Sequence, residues 1–411
     1  MPEDLYTLSR YFLGSNNRPY RRYFLRRHPL ENRFSIIIGP RGVGKTTAMI
    51  QHLLSKYDGD VHTEKALYVP VDHFAVGKNS LYEIAEDFAN LGGELICFDE
   101  IHKYPGWSEE LKSIHDRFPR LEIAASGSSA LQIQRGSHDL SRRAIVYRMA
   151  GLSFREYLDL ILEQETEPFA LEAILENHGR LAGTIIESVE RRGKKILALF
   201  KVYLQSGYFP YFQDYDAVPL YHITLEQSIH TTLESDLLAI HPMLTGSSIK
   251  KLEKLLAVIA ESAPFTPDLR RLKQIVEIGD ERTLKTYLQY LEDGGVILTL
   301  PKSGGGLRAL EKPAKIYLHN PNQVYAISSA GRENVGNIRE TYFVNMLSVE
   351  HRVSVPRRGD FLIDNRYTFE IGGRNKGFEQ IGGIPDSYLA VDDAEMSTGN
   401  KIPLWLFGFL Y

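Results

Sequence analysis

Short apolar runs alternate with amphipathic stretches over the first third of the chain, and that rhythm predicts an α/β sheet. Strands are expected at 34–39, 66–71, 94–98, 121–125 and 144–149, with helices over 45–54, 80–90 and 108–118 between them. The rhythm stops near residue 153. From there to about 245 the pattern is helical and charged, broken at GYFP (207–210), and reads as a helical lid. Amphipathic helices follow at 249–260, 267–276 and 280–293, the last closing on Gly294-Gly295. Strands at 296–300 and 315–318, joined by PKSGGGLRAL, complete the outline of a winged helix-turn-helix. The tail opens with a helix and continues in short strands as a small α/β unit, and IPLWLFGFLY reads as its buried last strand.

Length and composition bound the rest. At 411 residues the chain is too long for one ordinary core. With 43% hydrophobic and 24% charged residues it has the make-up of a soluble globular protein. A formal charge of -4 argues against a surface that coats nucleic acid throughout. The single cysteine, Cys97, lies in an apolar run and excludes a disulfide framework or a cysteine metal site. No apolar stretch approaches the roughly 18 residues of a membrane helix. The polar, acidic start does not resemble a signal peptide, so a cytoplasmic location without membrane contact is expected.

The most specific chemistry is GPRGVGKT at 39–46, which fits G-x-x-x-x-G-K-[ST] between an apolar strand and a helix. Gly39, Pro40, Arg41, Gly42, Val43 and Gly44 form a loop whose backbone N–H groups wrap phosphate oxygens, and the next helix adds its positive end. Lys45 is expected to reach the β- and γ-phosphates of ATP, Thr46 to bind Mg²⁺ through its hydroxyl, and Thr47 to face the α-phosphate. ELICFDE at 94–100 is an apolar strand ending in two carboxylates. Asp99 is placed to hold Mg²⁺, and Glu100 is the candidate general base for the attacking water. Cys97 reads as a small core residue.

Further candidates are less specific. LEIAA runs into SGSSA, where Ser126, with Ser128 behind it, offers a polar contact to the γ-phosphate or the water; ordinary turn chemistry explains the same residues. Arg143, with Arg142 beside it and Arg135 behind, is the candidate arginine for transition-state charge, in its own site or a neighbouring subunit's. The alternative is a solvated basic cap. RPYRRYFLRRH at 18–28 reads as a surface helix with tyrosines packed inward, ahead of a nucleic-acid or nucleotide contact. In the helix over 280–293, Leu284, Tyr287, Leu288 and Leu291 share a core face. Arg282 and Lys285 on the other face are balanced by Glu281, Glu292 and Asp293, which favours protein docking or a lid role over DNA reading.

In GDFLIDNRYTFEIGGRNKG (359–377), Asp360 and Glu370 fall on adjacent strands. That spacing fits nuclease sites in which two carboxylates share a divalent metal and a lysine two residues after the glutamate assists water. Here Gly372 holds the lysine position, Lys376 and Arg374 are nearby, and Glu340 and Gln380 could complete a polar cluster; an inactive remnant or a purely structural fold is the favoured reading of these residues.

With these residues in view, the chain resembles the prokaryotic AAA-type P-loop ATPases that join an ATPase core to a winged helix and a restriction-endonuclease-like, PD-(D/E)XK-like C-terminal domain. GPRGVGKTT, CFDEIHKYPGW, SGSSA, LSRRAIVYR with GLSFREYL, GYFP, KIYLHNP, and FEIGGRNK with IPLWLFGFLY look like that family's landmarks over nearly the whole length. The resemblance implies ATP binding and hydrolysis through Lys45, Thr46, Asp99 and Glu100. It places Arg143 where many relatives carry an arginine after a glycine, although Arg142 precedes it here. It also implies a C-terminal domain that is degenerate at Gly372. The expected organisation is a P-loop core over 1–155, a helical lid over 156–245, a winged helix over 246–328 and the small α/β domain over 329–411. The expected function is a Mg²⁺-dependent ATPase acting as a switch or motor on a DNA or protein partner, possible as a homo-oligomer. An ATP-gated nuclease and a non-hydrolysing nucleotide-dependent scaffold are the alternatives.

Overall fold

Five strands of four to six residues need cover on both faces when they run parallel, and the first part of the chain supplies it. The structure, a computed structural model, describes residues 3–77, 79–127, 140–241, 243–261, 268–304, 313–328 and 334–411. The chain forms two compact units, 1–151 and 152–411.

In the first unit, β1 (Phe34–Ile38), β2 (Ala66–Pro70), β3 (Leu95–Asp99), β4 (Glu122–Gly127) and β5 (Ile145–Arg148) form one sheet in the order β2-β3-β4-β1-β5. Every pairing in it is parallel. Strands β1, β2 and β3 are buried along their whole length, which is why they read as continuous apolar runs rather than alternating ones. Helices α3 (Lys45–Lys56), α4 (Leu81–Asn90) and α5 (Trp107–Arg117) connect them. Ser80 and Glu83 close a capping box that starts α4. A helix not expected from the pattern, α1 (Glu3–Asn16), lies on β2: Ser9 Oγ accepts from Tyr68 N at 3.0 Å, and Phe12 packs against the Tyr68 ring. The stretch 18–28 also differs from expectation. Only α2 (Tyr23–Arg27) is helical, and Arg22 before it is buried.

The second unit begins where the βαβ rhythm stops. Helices Phe154–Leu162, Leu171–Glu190, Ile196–Ser206 and Val218–Thr231 occupy the segment expected as a lid. They are not a free-standing lid. Phe154 packs against Phe200, Tyr203, Trp405 and Phe409, so these helices share a core with the end of the chain. The physical reason is that their apolar faces hold large aromatics that need a partner surface, and the C-terminal residues provide it. Asn322 stitches the GYFP break into the same core: its Oδ1 accepts from Tyr208 N and Tyr221 Oη, and its Nδ2 donates to the carbonyls of Tyr203 and Leu204.

Helices Gly246–Glu261, Leu269–Val276 and Glu281–Asp293 follow, and β6 (Ile297–Leu300) pairs antiparallel with β7 (Lys315–Leu318), in the expected order. Residues 305–310 of the glycine-rich stretch lie outside the described residues. The tail packs helix Val335–Leu347 on a mixed sheet of β8 (Val353–Ser354), β9 (Phe361–Ile363), β10 (Tyr367–Gly372), β11 (Ser387–Val391) and β12 (Lys401–Pro403), ordered β12-β11-β10-β9-β8. The final apolar run is not a strand. Strand β12 ends at Pro403, which offers no N–H to a ladder, and Leu404–Phe409 turns into a buried 3-10 helix. No helix among the described residues is long and apolar enough to cross a membrane.

Candidate functional site

Ligands of open parallel sheets collect beyond the carboxyl ends of the strands, and register decides which side chains arrive there. Strand β4 lies between β1 and β3, with Ser126 opposite Ile37 and with Ala125 opposite Phe98. Ser126, Asp99 and the loop after Ile38 therefore end at one level. The sequence places β1 and β3 far apart in the chain, and the intervening β4 delivers the serine between them.

The loop 39–44 owes its shape to its glycines. Gly42 and Gly44 have φ of 82° and 98°, the left-handed region that side chains other than glycine rarely adopt. Gly39 serves a different purpose. A Cβ there would fall 2.3 Å from the Met149 carbonyl oxygen, so this glycine admits the chain leaving β5. Buried Lys45 donates to the carbonyls of Gly39 and Pro40 at 2.9 and 3.0 Å, closing the loop on itself. Arg41 is exposed, Val43 is buried and Thr47 half-buried.

Buried Arg22 locks this loop from below. Its guanidinium donates to the carbonyls of Val43 at 2.7 Å, Ala150 at 3.0 Å and Gly151 at 2.8 Å. Gln51 in α3 fixes the approach by donating to the carbonyls of Arg18 and Tyr20. The basic stretch thus contributes a structural clasp, where a surface helix was expected. A single arginine among five cannot be singled out by pattern, because nothing in the local sequence marks which one the fold buries.

Asp99 gathers donors from three elements. Its Oδ2 accepts from Thr46 Oγ1 at 2.6 Å and from Tyr68 Oη at 2.5 Å, and its Oδ1 accepts from Ser126 Oγ and from Glu100 N. Tyr68 was not anticipated: its apolar strand setting reads as plain core. Burial, then the Asp99 charge, push its phenol far above the ordinary range, so it remains a donor. Glu100 adopts φ 55° and ψ 37°, an uncommon left-handed conformation for a side-chain-bearing residue and the sort of local cost found at functional turns. Its Oε2 makes no hydrogen bond among the described residues, and lies 3.6 Å from both His102 Nε2 and Lys103 Nζ. His102 is buried; burial first, then the charges of Lys45, Lys103 and Arg41, push it down to about 3 and keep it neutral.

These residues fit a magnesium-bound nucleotide. The loop presents an ammonium and glycine-relaxed amides, and a hydroxyl and a carboxylate with oxygen donors adjoin it, the set a hard cation takes. Thr46 and Asp99 are the pair that would hold Mg²⁺.

Arg143 is not brought to this cradle. It precedes β5 at the amino-terminal edge of the sheet, and its Nε and Nη2 both reach Asp116 near the end of α5 at 2.7 Å. With about 3.3 Å of rise per residue, the strand length separates it from the loop. The structure thus pairs Arg143 with Asp116 rather than with the loop residues. Arg142 is exposed in the same turn; Ser128 and Arg135 lie outside the described residues.

A sequence-family profile described as "AAA domain" matches residues 31–158. The match falls on the α/β sheet and P-loop of the first unit. A second profile, a domain of unknown function, matches residues 197–333. An uncharacterized protein of Methanocaldococcus jannaschii is 27% identical over 211 residues, 48% of this chain and 41% of that relative. The chain thus spans well under half the length of the curated relative it matches. Among solved structures, AMPPCP-bound DnaA from Aquifex aeolicus is 13% identical with a TM-score of 0.26, over 66% of this chain and 86% of that one. A DNA replication initiation factor is 14% identical with a TM-score of 0.27, over 68% and 91%. PCH-2 of C. elegans is 13% identical with a TM-score of 0.24, over 39% and 46%. Overlaps this loose add nothing to the profile match.

In the second unit, the expected tail cluster does converge. Asp360 accepts from Ile371 N at 2.9 Å, and Glu370 pairs with Lys376 Nζ at 2.6 Å. With its amide turned to suit its neighbours, Gln380 donates to both Glu370 oxygens. Lys315 of β7 lies 3.0 Å from Glu340 and 3.3 Å from Asp360, and Tyr317 donates to Glu340 at 2.6 Å. Burial raises both Glu370 and Glu340, against the pull of Lys376 and Lys315 respectively. Among the described residues Arg374 makes no hydrogen bond or ion pair in this cluster, whereas Lys315 was missed because it comes from a strand outside the tail.

Proposed function

We propose that the first unit binds Mg-ATP and hydrolyses it, and that the cycle works as a switch or motor on a partner. The observation that supports this is the gathering of Thr46 and Ser126 on Asp99 at the carboxyl edge of the sheet, beside the loop closed by Lys45 and the turn carrying Glu100. Bound magnesium would supply charge neutralisation at the β/γ-phosphates. The chain's own residues account for the rest. Lys45 binds the phosphate oxygens, with Gly42 and Gly44 turning backbone amides toward them. Glu100 orients the attacking water and accepts its proton as the new bond to the γ-phosphorus forms and the bond to the bridging oxygen breaks, giving ADP and phosphate. Ser126 orients Asp99 and the turn carrying Glu100. Arg143, remote from its own cradle, acts on that of a neighbouring copy. The three helices with their β6–β7 hairpin form a winged helix that engages protein or DNA.

Phosphate release from purified protein with Mg²⁺ tests this reading. Lys45→Ala is expected to lose nucleotide binding, and Glu100→Gln to keep binding while turnover falls by about 100-fold or more. Turnover within twofold of wild type in Glu100→Gln refutes the assigned base. Tight binding with no phosphate release by wild type favours a nucleotide-dependent scaffold instead.

A second reading, a nuclease site in the tail, is favoured by one observation. The Lys376 stem crosses the space above Gly372, and its ammonium meets Glu370, so a lysine reaches the carboxylate from four residues beyond the usual position. Lys315 already holds a positive charge between Glu340 and Asp360. Incubating plasmid and single-stranded DNA with Mn²⁺ and ATP tests the reading: cleavage lost in Glu370→Ala supports it, and no cleavage removes it.

A further inference from the structure

We propose that Tyr68 is a positioning residue that holds Asp99 in the orientation needed to receive magnesium, an inference that rests on the reading of the cradle as a Mg-nucleotide site. Tyr68 and Asp99 are on adjacent parallel strands, Tyr68 opposite Cys97 and Pro70 opposite Asp99. They are diagonal neighbours on one face, near enough for a long side chain to bridge. The bridge forms: the phenol oxygen lies 2.5 Å from Asp99 Oδ2.

Of the four donors on Asp99, Tyr68 is the one held rigidly by an element outside the cradle. Its backbone N–H is taken by Ser9 of α1, its ring packs on Phe12 of the same helix, and the residue is buried. Thr46 also donates to Oδ2, but its hydroxyl is the group the loop motif offers to the metal. Ser126 Oγ and Glu100 N hold Oδ1, and the phenol is the donor on Oδ2 that comes from outside the phosphate loop and does not itself serve the metal. A free carboxylate turns about its last bond with little resistance; a hydrogen bond of this geometry to a charged acceptor removes that freedom. Helix α1 therefore reaches the metal site through two side chains, Tyr68 and then Asp99.

The plainer explanation is a core tyrosine that satisfies its hydroxyl on the nearest carboxylate. Tyr68→Phe separates the two, because it keeps the ring and its packing and removes only the donor. Binding of a fluorescent ADP analogue is measured with and without Mg²⁺, together with Mn²⁺ affinity of the ADP complex by electron paramagnetic resonance and the Mg²⁺ dependence of phosphate release. Positioning predicts about tenfold weaker Mn²⁺ binding and a matching rise in the Mg²⁺ needed for half-maximal turnover. Nucleotide affinity without metal and the thermal midpoint of the metal-free protein stay near wild type, and the shift falls on metal dependence rather than on kcat at saturating Mg²⁺. Equal metal affinity in wild type and Tyr68→Phe, both hydrolysing ATP, overturns the proposal alone. Wild type that binds no nucleotide with Mg²⁺ overturns the cradle reading and this proposal with it. Should Tyr68→Phe unfold, Ser9→Ala, which loosens the strand carrying Tyr68 without touching the phenol, is expected to give a smaller shift in the same direction; no shift in metal affinity there counts against the proposal.

Discussion

Thr46 Oγ1 donates to Asp99 Oδ2 at 2.6 Å, joining the first turn of α3 to the end of β3 across a sheet in which β4 separates the two parent strands. The two residues lie far apart in sequence, and their contact ties the helix after the glycine loop to the end of β3. Four outcomes follow from the packing around that contact and from the second unit.

Arg22→Ala strips three carbonyls, those of Val43, Ala150 and Gly151, of their donor. Each buried acceptor left unpaired costs about 1–3 kcal/mol. We expect a lower urea midpoint and weaker nucleotide binding, because Val43 belongs to the phosphate loop. Arg22→Lys should recover only part of this, since an ammonium does not reproduce a planar fork. A variant with wild-type affinity would show that the clasp does not shape the loop.

Arg143 supplies a test of subunit sharing. Its pairing with Asp116 puts it at the sheet edge away from its own cradle. If it serves a neighbouring copy, Arg143→Ala and Lys45→Ala are each inactive alone, yet mixing them restores part of the phosphate release. One variant then brings an intact cradle and the other an intact arginine. Absence of recovery, with mixed assemblies verified by mass, counts against sharing.

His102 gives a pH dependence of stability. The unfolded chain takes up a proton on this histidine near pH ~6.5, whereas in the native state it is pushed down to about 3. Between those values the unfolded state binds more protons. The contribution to stability is therefore complete above the ordinary histidine range and is lost as pH falls, at roughly 1.4 kcal/mol per pH unit. His102→Gln should flatten the fall in urea midpoint between pH 7 and pH 5. An unchanged slope would show that other groups govern it.

Gly372→Lys, which restores the usual order of a lysine after the glutamate, should destabilise the tail. A Cβ at this position falls 2.6 Å from Lys376 Cγ, and overpacking of this kind costs about 1–3 kcal/mol. Adding Lys376→Gly should return most of the loss, because it clears the same space. Chemical denaturation of the single and double variants measures both steps. A single variant as stable as wild type would mean that Lys376 swings aside freely.

The phosphate loop and its strand and helix were legible because local rules impose them: three glycines, a lysine and a threonine at fixed spacing leave few conformations. The same holds for the buried parallel strands, whose unbroken apolar runs follow from cover on both faces. Asp99 and Glu100 were legible as the polar end of such a run. Neither Tyr68 nor Arg22 was, because a tyrosine in a strand and one arginine among five carry no local mark of what they will face. Gly39 was assigned to phosphate approach, and its tightest constraint turned out to be the Met149 carbonyl. The helices after 153 read as a lid because their own amphipathic pattern does not say which surface covers it.

By itself the sequence determined what depends on neighbours along the chain: strand and helix periods, the glycine turns of the phosphate loop, and the chemistry available at each strand end. Tertiary structure alone decided what depends on register and burial. It set β4 between β1 and β3, sent Arg143 to the far edge, buried Arg22 under the loop, and carried Lys315 and Lys376 onto carboxylates of other elements. The reason is that a side chain's partner across a sheet or core is fixed by the packing of whole elements, whose energy is spread over many residues and leaves no signature at any one of them.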